Sequence, residues 1–212
     1  MTHAVGPMQE LHLALVLDNV DPEGRGRIQV ELQATGMVLW AACLAPSSGN
    51  GYGVSALPRL EELVVVGFVS PELPLIMGAI WAGQDSHPQD AQAVQDKYAL
   101  ITPSGAKVII DDSDGPKIEL ETPAGQKLTV TDSGGGEIHI ERGSETIDLT
   151  PATISINSSA KVEVSATQVN VSAAMVQVDA GMSQFSGVVK CDTLIATSVV
   201  STSYTPGAGN VW

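Results

Sequence analysis

Three acidic side chains, Asp111, Asp112 and Asp114, form the first group in the sequence whose type and spacing could do chemistry. Calcium takes about six to eight oxygen ligands, and clustered carboxylates can supply several of them. The spacing of an EF-hand loop is missing, so a solvated acidic turn is the simpler interpretation. His12 and His139 have no second histidine at ligand spacing. We therefore expect no metal site.

The remaining motifs also lack the partners that chemistry requires. Residues 47–53, SSGNGYG, are rich in glycine but lack the Lys-Ser/Thr ending of a phosphate loop, so we expect a flexible loop that meets a neighbouring protein. Cys43 and Cys191 lie far apart and are most simply reduced thiols. No Ser/His/Asp, Cys/His or paired-carboxylate set can be assembled. The sequence predicts neither enzymatic activity nor a cofactor.

Charge argues against several classes of partner. The chain has 24 acidic and 10 basic side chains, a net charge of −14, and no basic patch is hidden within it. An acidic surface repels phosphate backbones and anionic lipids, so we expect no binding to nucleic acid. The first ten residues lack a secretory signal and no stretch is long enough to span a membrane. We expect assembly in the cytoplasm.

The secondary-structure elements that position these residues are predicted to be strands. Aromatic content is only 4%, with 21 glycines and 12 prolines, which favours many short strands and turns. After an N-terminal arm, residues 1–9, the segment 10–82 has five strand-like runs separated by turns, typical of a small closed barrel. The runs are residues 11–20, 27–32, 38–44, 63–69 and 75–81. Residues 83–99 are polar and form a linker, with a helical turn near residues 91–96.

From residue 100 the chain is repetitive. Apolar residues occur in i, i+2 pairs, and successive pairs are seven to ten residues apart. Each repeat predicts one short strand and one turn, together forming a shaft over residues 100–202. The predicted shaft core consists of Val108, Ile110, Ile118, Leu120, Leu128, Val130, Ile138, Ile140, Ile147, Leu149, Ile154, Ile156, Val162, Val164, Val169, Val171, Val176 and Val178.

This spacing predicts the assembly state. A single-chain β-helix needs about 18 to 30 residues to complete a coil, so the repeat is too short for one. A lone ribbon would leave its apolar stripe and its edges in water. Three copies wound about one axis would bury the stripes inside a triangular prism. We therefore expect an all-β homotrimer with an intertwined β-helical prism, whose outward positions, such as Glu119, His139 and Asp148, are polar.

The last ten residues, 203–212, are predicted to form the tip. Aromatic residues are unexpected at a terminus, because exposed termini are usually polar. Packed around a three-fold axis, these residues would close the narrow end of the prism. The predicted tip residues are Tyr204, Pro206, Gly207, Gly209 and Trp212.

Both halves of the chain resemble one family. In the barrel the resemblance rests on residues 18–30, DNVDPEGRGRIQV, and on residues 58–68 and 74–81. In the shaft it rests on residues 102–107, TPSGAK, and 119–128, ELETPAGQKL. These runs, in this order, are similar to the baseplate central spikes of contractile-tailed phages, the baseplate assembly protein V family, and to the valine-glycine repeat proteins of type VI secretion.

The resemblance implies an OB-fold barrel that contacts baseplate hub and tail tube proteins, and a spike that punctures the host cell envelope and crosses its outer membrane transiently. It implies a place in the virion tail baseplate, with a tip-capping protein possible. The short segment between Trp81 and Tyr98 has no room for the lysozyme domain of some relatives. The tip lacks the histidines that bind iron in others. A bacteriocin spike, a secretion spike and a carbohydrate-binding tail fibre remain alternatives.

Overall fold

The computed structural model describes residues 10–92, 95–113 and 115–203. Within these ranges the chain contains strands and two short 3-10 helices, Gln89–Ala91 and Ser133–Gly135, but no α-helix, and no helix that could span a membrane. The all-β prediction is confirmed. The strands are β1 His12–Asp18, β2 Arg27–Leu32, β3 Val38–Cys43, β4 Ser48–Gly49, β5 Tyr52–Gly53, β6 Leu63–Ser70, β7 Leu73–Ala79, β8 Lys97–Ile101, β9 Lys107–Asp111, β10 Lys117–Glu121, β11 Gln126–Thr131, β12 Glu137–Arg142, β13 Glu145–Leu149 and β14 Ile154–Asn157.

The first five long strands close into a barrel in the order β1-β2-β3-β7-β6. Neighbouring strands are antiparallel except β3 and β7, which pair in parallel and close the barrel. Alternate residues point inward, as the period-2 pattern predicts. The buried core is formed by Ala14, Val16, Ile28, Val30, Leu32, Ala41, Val64, Val66 and Ile76.

The turn between β1 and β2 is organised by one carboxylate. Asp21 accepts hydrogen bonds from the backbone N–H groups of Glu23, Arg25 and Arg27, and from Nε and Nη2 of Arg27 at 3.0 and 2.9 Å. The Arg27 side chain holds the pKa of Asp21 well below its usual range. The Arg27 guanidinium also lies 5.8 Å from the centroid of the Trp40 ring. Through Arg27 and Trp40, the turn between β1 and β2 is therefore held against β3.

The glycine-rich loop contains a short hairpin, which the sequence did not predict. Strands β4 and β5 pair within it, and the Tyr52 ring lies against Gly49. A Cβ atom at Gly49 would clash with that ring, so a larger residue there would displace the exposed Tyr52 side chain. Gly49 thus allows the ring to approach the backbone closely.

The second part of the chain is a seven-stranded antiparallel sheet. Strands β8 to β14 follow one another in sequence order, each paired with the next. The sheet begins at Lys97, inside the segment assigned from sequence to the linker. The 3-10 helix of that segment, Gln89–Ala91, lies slightly before the predicted helical turn and contacts β8.

Residues 163–203 belong to a separate unit. Between residues 158 and 203 no strand is assigned in the single chain, although the sequence predicts strands there. An extended segment needs a neighbouring strand for its N–H and C=O groups. Within the described residues, this chain supplies none.

We predict that Ile28→Ala will destabilise the barrel by about 2–5 kcal/mol, because the variant leaves a cavity in its closed core. Amide hydrogen exchange of β2 and β3 in the intact protein measures this local free energy. The adjacent variant Gln29→Ala, on the outer side, should change it by less than about 0.5 kcal/mol. Equal effects would show that the inward register of β2 is wrong.

Candidate trimerisation surface

The register of the C-terminal sheet aligns the predicted apolar pairs in two continuous rows on one face, here called the apolar face. Each residue lies directly opposite a member of the same row on the next strand, so the rows run across all seven strands. The first row contains Tyr98, Ile110, Ile118, Val130, Ile138, Leu149 and Ile154, and the second contains Leu100, Val108, Leu120, Leu128, Ile140, Ile147 and Ile156.

None of the apolar face is buried in a single chain. Ile118, on the interior strand β10, is 46% exposed, whereas the barrel core residue Ile28 is fully buried. A contiguous apolar surface of this kind marks an interaction site in a soluble protein. Because the face spans the whole sheet, covering it requires a partner that extends along all seven strands.

The opposite face, here called the polar face, has a ladder of alternating charges. Its lysines recur every ten residues, at Lys97, Lys107, Lys117 and Lys127. The register places Lys107 opposite Glu121, Glu121 opposite Lys127 and Lys127 opposite Glu141. Lys127 Nζ lies 2.7 Å from Glu119 Oε1 on the neighbouring strand. Opposite charges on facing strands favour this register.

The sequence predicts that Asp111 lies in a solvated acidic turn, and for this residue the prediction is wrong. The residue is 4% exposed and ends β9, where Lys97 Nζ lies 3.2 Å from its carboxylate. The Ser113 hydroxyl and backbone N–H both donate to Asp111 Oδ1. These hydrogen bonds and Lys97 lower the pKa of Asp111 to about 2. The carboxylate therefore anchors the edge of the sheet, where Lys107 also pairs with Asp90 at 2.8 Å.

His139 lies between two carboxylates on the polar face. Its Nδ1 atom contacts Asp148 on β13, and its Nε2 atom lies 3.4 Å from Glu141 Oε2. Thr146 Oγ1 donates to the other oxygen of Asp148 at 3.0 Å. The hydrogen bond to Asp148 raises the pKa of His139 and lowers that of Asp148. The pair therefore links β12 and β13 most strongly when the histidine is protonated.

The structure places the predicted shaft residues in two groups. Those from Val108 to Ile156 share the apolar face, and those from Val162 to Val178 follow β14 in the segment without assigned strands. The predicted tip residues Tyr204, Pro206, Gly207, Gly209 and Trp212 lie outside the described residues. In the described part of the chain, no group of His, Cys, Asp and Glu could hold a metal ion.

Sequence reasoning missed two features of this surface. Tyr98 and Leu100 extend both rows by one strand, although their i, i+2 spacing was visible in the sequence. The ten-residue spacing of the lysines was also visible, and it matches the strand repeat. The burial of Asp111 had no such signal, because it depends on Lys97 from the adjacent strand.

Comparison with known families matches both parts of the chain. Residues 12–81 match the type VI secretion system/phage-baseplate injector OB domain, and residues 97–162 match the phage baseplate V C-terminal trimerisation domain. The chain belongs to the baseplate V family. As a baseplate V protein it is a structural component of a phage or type VI secretion baseplate. No curated protein matches the chain significantly.

The second match explains the exposed apolar face. The trimerisation domain covers all seven strands of the sheet and supports a homotrimer, as the closure argument predicted. Three copies of a one-layer sheet can each cover the apolar faces of the others about a three-fold axis. The baseplate V chain thus has the partner that its apolar face requires, namely two further copies of itself.

We predict that Ile156→Asp will prevent or strongly weaken trimer formation. It places three like charges around one axis, and each buried unpaired charge costs several kcal/mol. Asn157→Asp, the next residue on the polar face, should leave the trimer intact. Sedimentation velocity distinguishes the two. If both variants dissociate the trimer equally, the assignment of the two faces is wrong.

We also predict that the His139 contact stabilises the protein more at low pH than at high pH. Its folded pKa is raised above the ordinary value of 6.5, so the stabilisation is complete below that value and is lost as the pH rises through the folded pKa. Thermal unfolding of the wild type and of His139→Gln measures the effect. The difference in melting temperature between them should be larger at about pH 6 than at about pH 8. Asp148→Asn should reduce this pH dependence as well, and an equal difference at both pH values would contradict the contact.

Proposed function

We propose that the protein is the central spike of a contractile phage tail baseplate and that it punctures the host cell envelope mechanically, without enzymatic activity. The observation that carries this proposal is the pair of apolar rows on a sheet that matches a trimerisation domain. Three such sheets make a closed prism with an apolar interior. A prism of this kind is narrow, stiff and symmetric about its axis.

The stacking of the strands along the prism axis would let the prism carry a load in that direction. Successive strands are about 4.8 Å apart, so seven strands give a prism roughly 30 Å long. In the order β8 to β14 each strand is one layer, and the prism lengthens along the rows. A push along the axis would act on the hydrogen bonds and apolar contacts of many layers together. The prism would fail mechanically only if many of these hydrogen bonds and apolar contacts broke together.

The segment after β14 continues the shaft in this proposal. Its repeats shorten to about seven residues and its inner residues are mostly valine, which narrows the prism. With no partner strand described within the chain, its backbone would pair with the two other copies. We propose residues 100–202 as the whole shaft, 203–212 as its tip, 83–99 as the linker, and 1–9 and 10–82 as arm and barrel.

The partners follow from the same arrangement. We propose that the barrel contacts the baseplate hub and tail tube proteins, that the tip contacts the outer membrane transiently, and that the tip is the site at which a separate capping protein would bind. The net charge of −14 disfavours nucleic acid. The finished protein would lie in the virion tail baseplate after assembly in the host cytoplasm.

Two alternatives share parts of this description. A spike of an R-type bacteriocin or of a type VI-like secretion apparatus would need the same prism, and the family match includes type VI secretion. A carbohydrate-binding tail fibre is less well supported. Such fibres stack sugars on exposed aromatic rings, and residues 99–203 contain Phe185 as their only aromatic residue.

Graded truncation of the spike in assembled particles tests the proposal. Deleting residues 163–212 leaves both family-matched regions intact but removes the narrow end, so these particles should assemble and adsorb normally while infecting or killing several-fold fewer cells per adsorbed particle. Deletion of residues 203–212 alone should have a smaller effect of the same kind. Adsorbed particles are counted by microscopy, and the spike's native mass is checked for both variants.

Infection or killing that is unchanged by the longer deletion would contradict a puncturing role. Loss of the trimer or of adsorption in that variant would be visible in the two control measurements. Peptidoglycan cleavage by the purified protein that a single substitution abolishes would contradict the non-enzymatic part of the proposal.

A further inference from the structure

The outside of the barrel is apolar along three adjacent strands, β6, β1 and β7, with β6 in the middle. Their outward residues alternate with the buried core residues, yet they are apolar as well. We call this surface the outer apolar face and define it by Leu11, Leu13, Leu17, Val65, Val69 and Met77. All but Val65 have a large exposed fraction in the single chain. A strand that is apolar on both sides is typical of a sheet covered on both sides.

Contacts between these side chains show that the face is continuous. A Cβ atom placed on Gly67 of β6 would lie 3.3 Å from both Leu11 Cδ2 and Met77 Sδ. Leu11, just before β1, and Met77 of β7 therefore both reach over Gly67 from opposite sides. Leu13 lies directly opposite Val65 in the register. The three strands thus form one apolar surface rather than isolated exposed residues.

The outer apolar face has no charged side chains, and the charged side chains of the barrel lie elsewhere on its surface. Residues 10–82 have eight acidic and three basic side chains, a net charge of −5. None of these charges is at an outward position of β1, β6 or β7. On β2, by contrast, the outward residues are Arg27, Gln29 and Glu31. Contact between barrels through the outer apolar face therefore places no charged side chain of these three strands in the interface.

We infer that the outer apolar face packs against the barrels of the two other chains in the trimer. Strand β7 contributes Met77 to the face and is the last strand of the barrel, and only residues 80–96 separate it from the trimerisation domain. That segment spans at most about 60 Å when fully extended. Three barrels tethered this closely have an effective concentration of about millimolar, so they meet one another before any free protein.

The trimer is thus held at two places. The prism joins the three chains through the apolar face of their sheets, and the barrels join them through a second, separate apolar surface. This inference rests on the homotrimer of the family and not on the puncturing role. It holds or fails equally for a phage spike and for a secretion spike.

Methionine oxidation of the purified, full-length trimer tests the inference with an internal control. Met77 lies in the outer apolar face and is 54% exposed in the single chain, whereas Met37 lies between β2 and β3 and is 48% exposed. If the barrels pack together, Met77 should be oxidised by peroxide at least about fivefold more slowly than Met37. Both rates are normalised to those of the denatured chain, and peptide mass spectrometry measures them.

The variant Leu13→Glu provides a second test of the inference. Leu13 is exposed in the single chain, so the barrel should still fold, but three carboxylates in the contact should separate the barrels. Met77 should then be oxidised as fast as Met37, while the native mass stays at three chains. Gln29→Glu, which adds the same charge on the polar side of the barrel, should keep Met77 protected.

Equal oxidation of Met77 and Met37 in the wild-type trimer would overturn the inference, because the face would then be open to a different protein. Protection of Met77 that survives Leu13→Glu would also overturn it, since another part of the chain would be covering the methionine.

Discussion

The structure depends on one constraint, which is that a single-layer sheet presents two aligned apolar rows that no other part of the described chain covers. Fully burying one Ile, Leu or Val side chain is worth about 1.5–3 kcal/mol. Summed over the two rows, whose side chains are already about half-buried in the single chain, the gain on association is comparable to the roughly 5–15 kcal/mol that stabilises an ordinary domain. The sheet therefore cannot be separated energetically from its assembly, and folding of this region and association of three chains are one process.

The two faces of the sheet contribute to assembly in different ways. The apolar face supplies most of the free energy of assembly. Ion pairs of the polar face, such as Lys127 with Glu119, are partly exposed and contribute only about 0–1 kcal/mol each. Their value is in specificity, because a slip by one residue would move every Ile and Val to the outside and the lysines to the axis. The ten-residue lysine repeat and the apolar pairs therefore encode the same register twice.

Much of this arrangement could be predicted from the sequence, because both the barrel and the sheet follow local patterns. The alternation in residues 27–32 identifies β2, and pairs such as Ile138 and Ile140 identify the strands and their common face. Burial of Asp111 could not be predicted, since it requires Lys97 from a strand that the sequence assigned partly to the linker. The hairpin in the glycine-rich loop was missed because the packing of Tyr52 on Gly49 has no periodic signal. Residues 158–203 show the limit most clearly, because the strands predicted there from the repeats are not assigned in the single chain.

The most direct test of the central claim is sedimentation equilibrium of the full-length protein over a wide range of concentrations, combined with circular dichroism on the same samples. If the apolar face is buried only between chains, every sample with native β-sheet signal should have about three times the chain mass of 22.0 kDa. Dilution to dissociation should remove the sheet signal of residues 97–157 at the same concentration. A 22.0 kDa species that keeps its full sheet signal would contradict the account, because the single-layer sheet would then be stable without its partners.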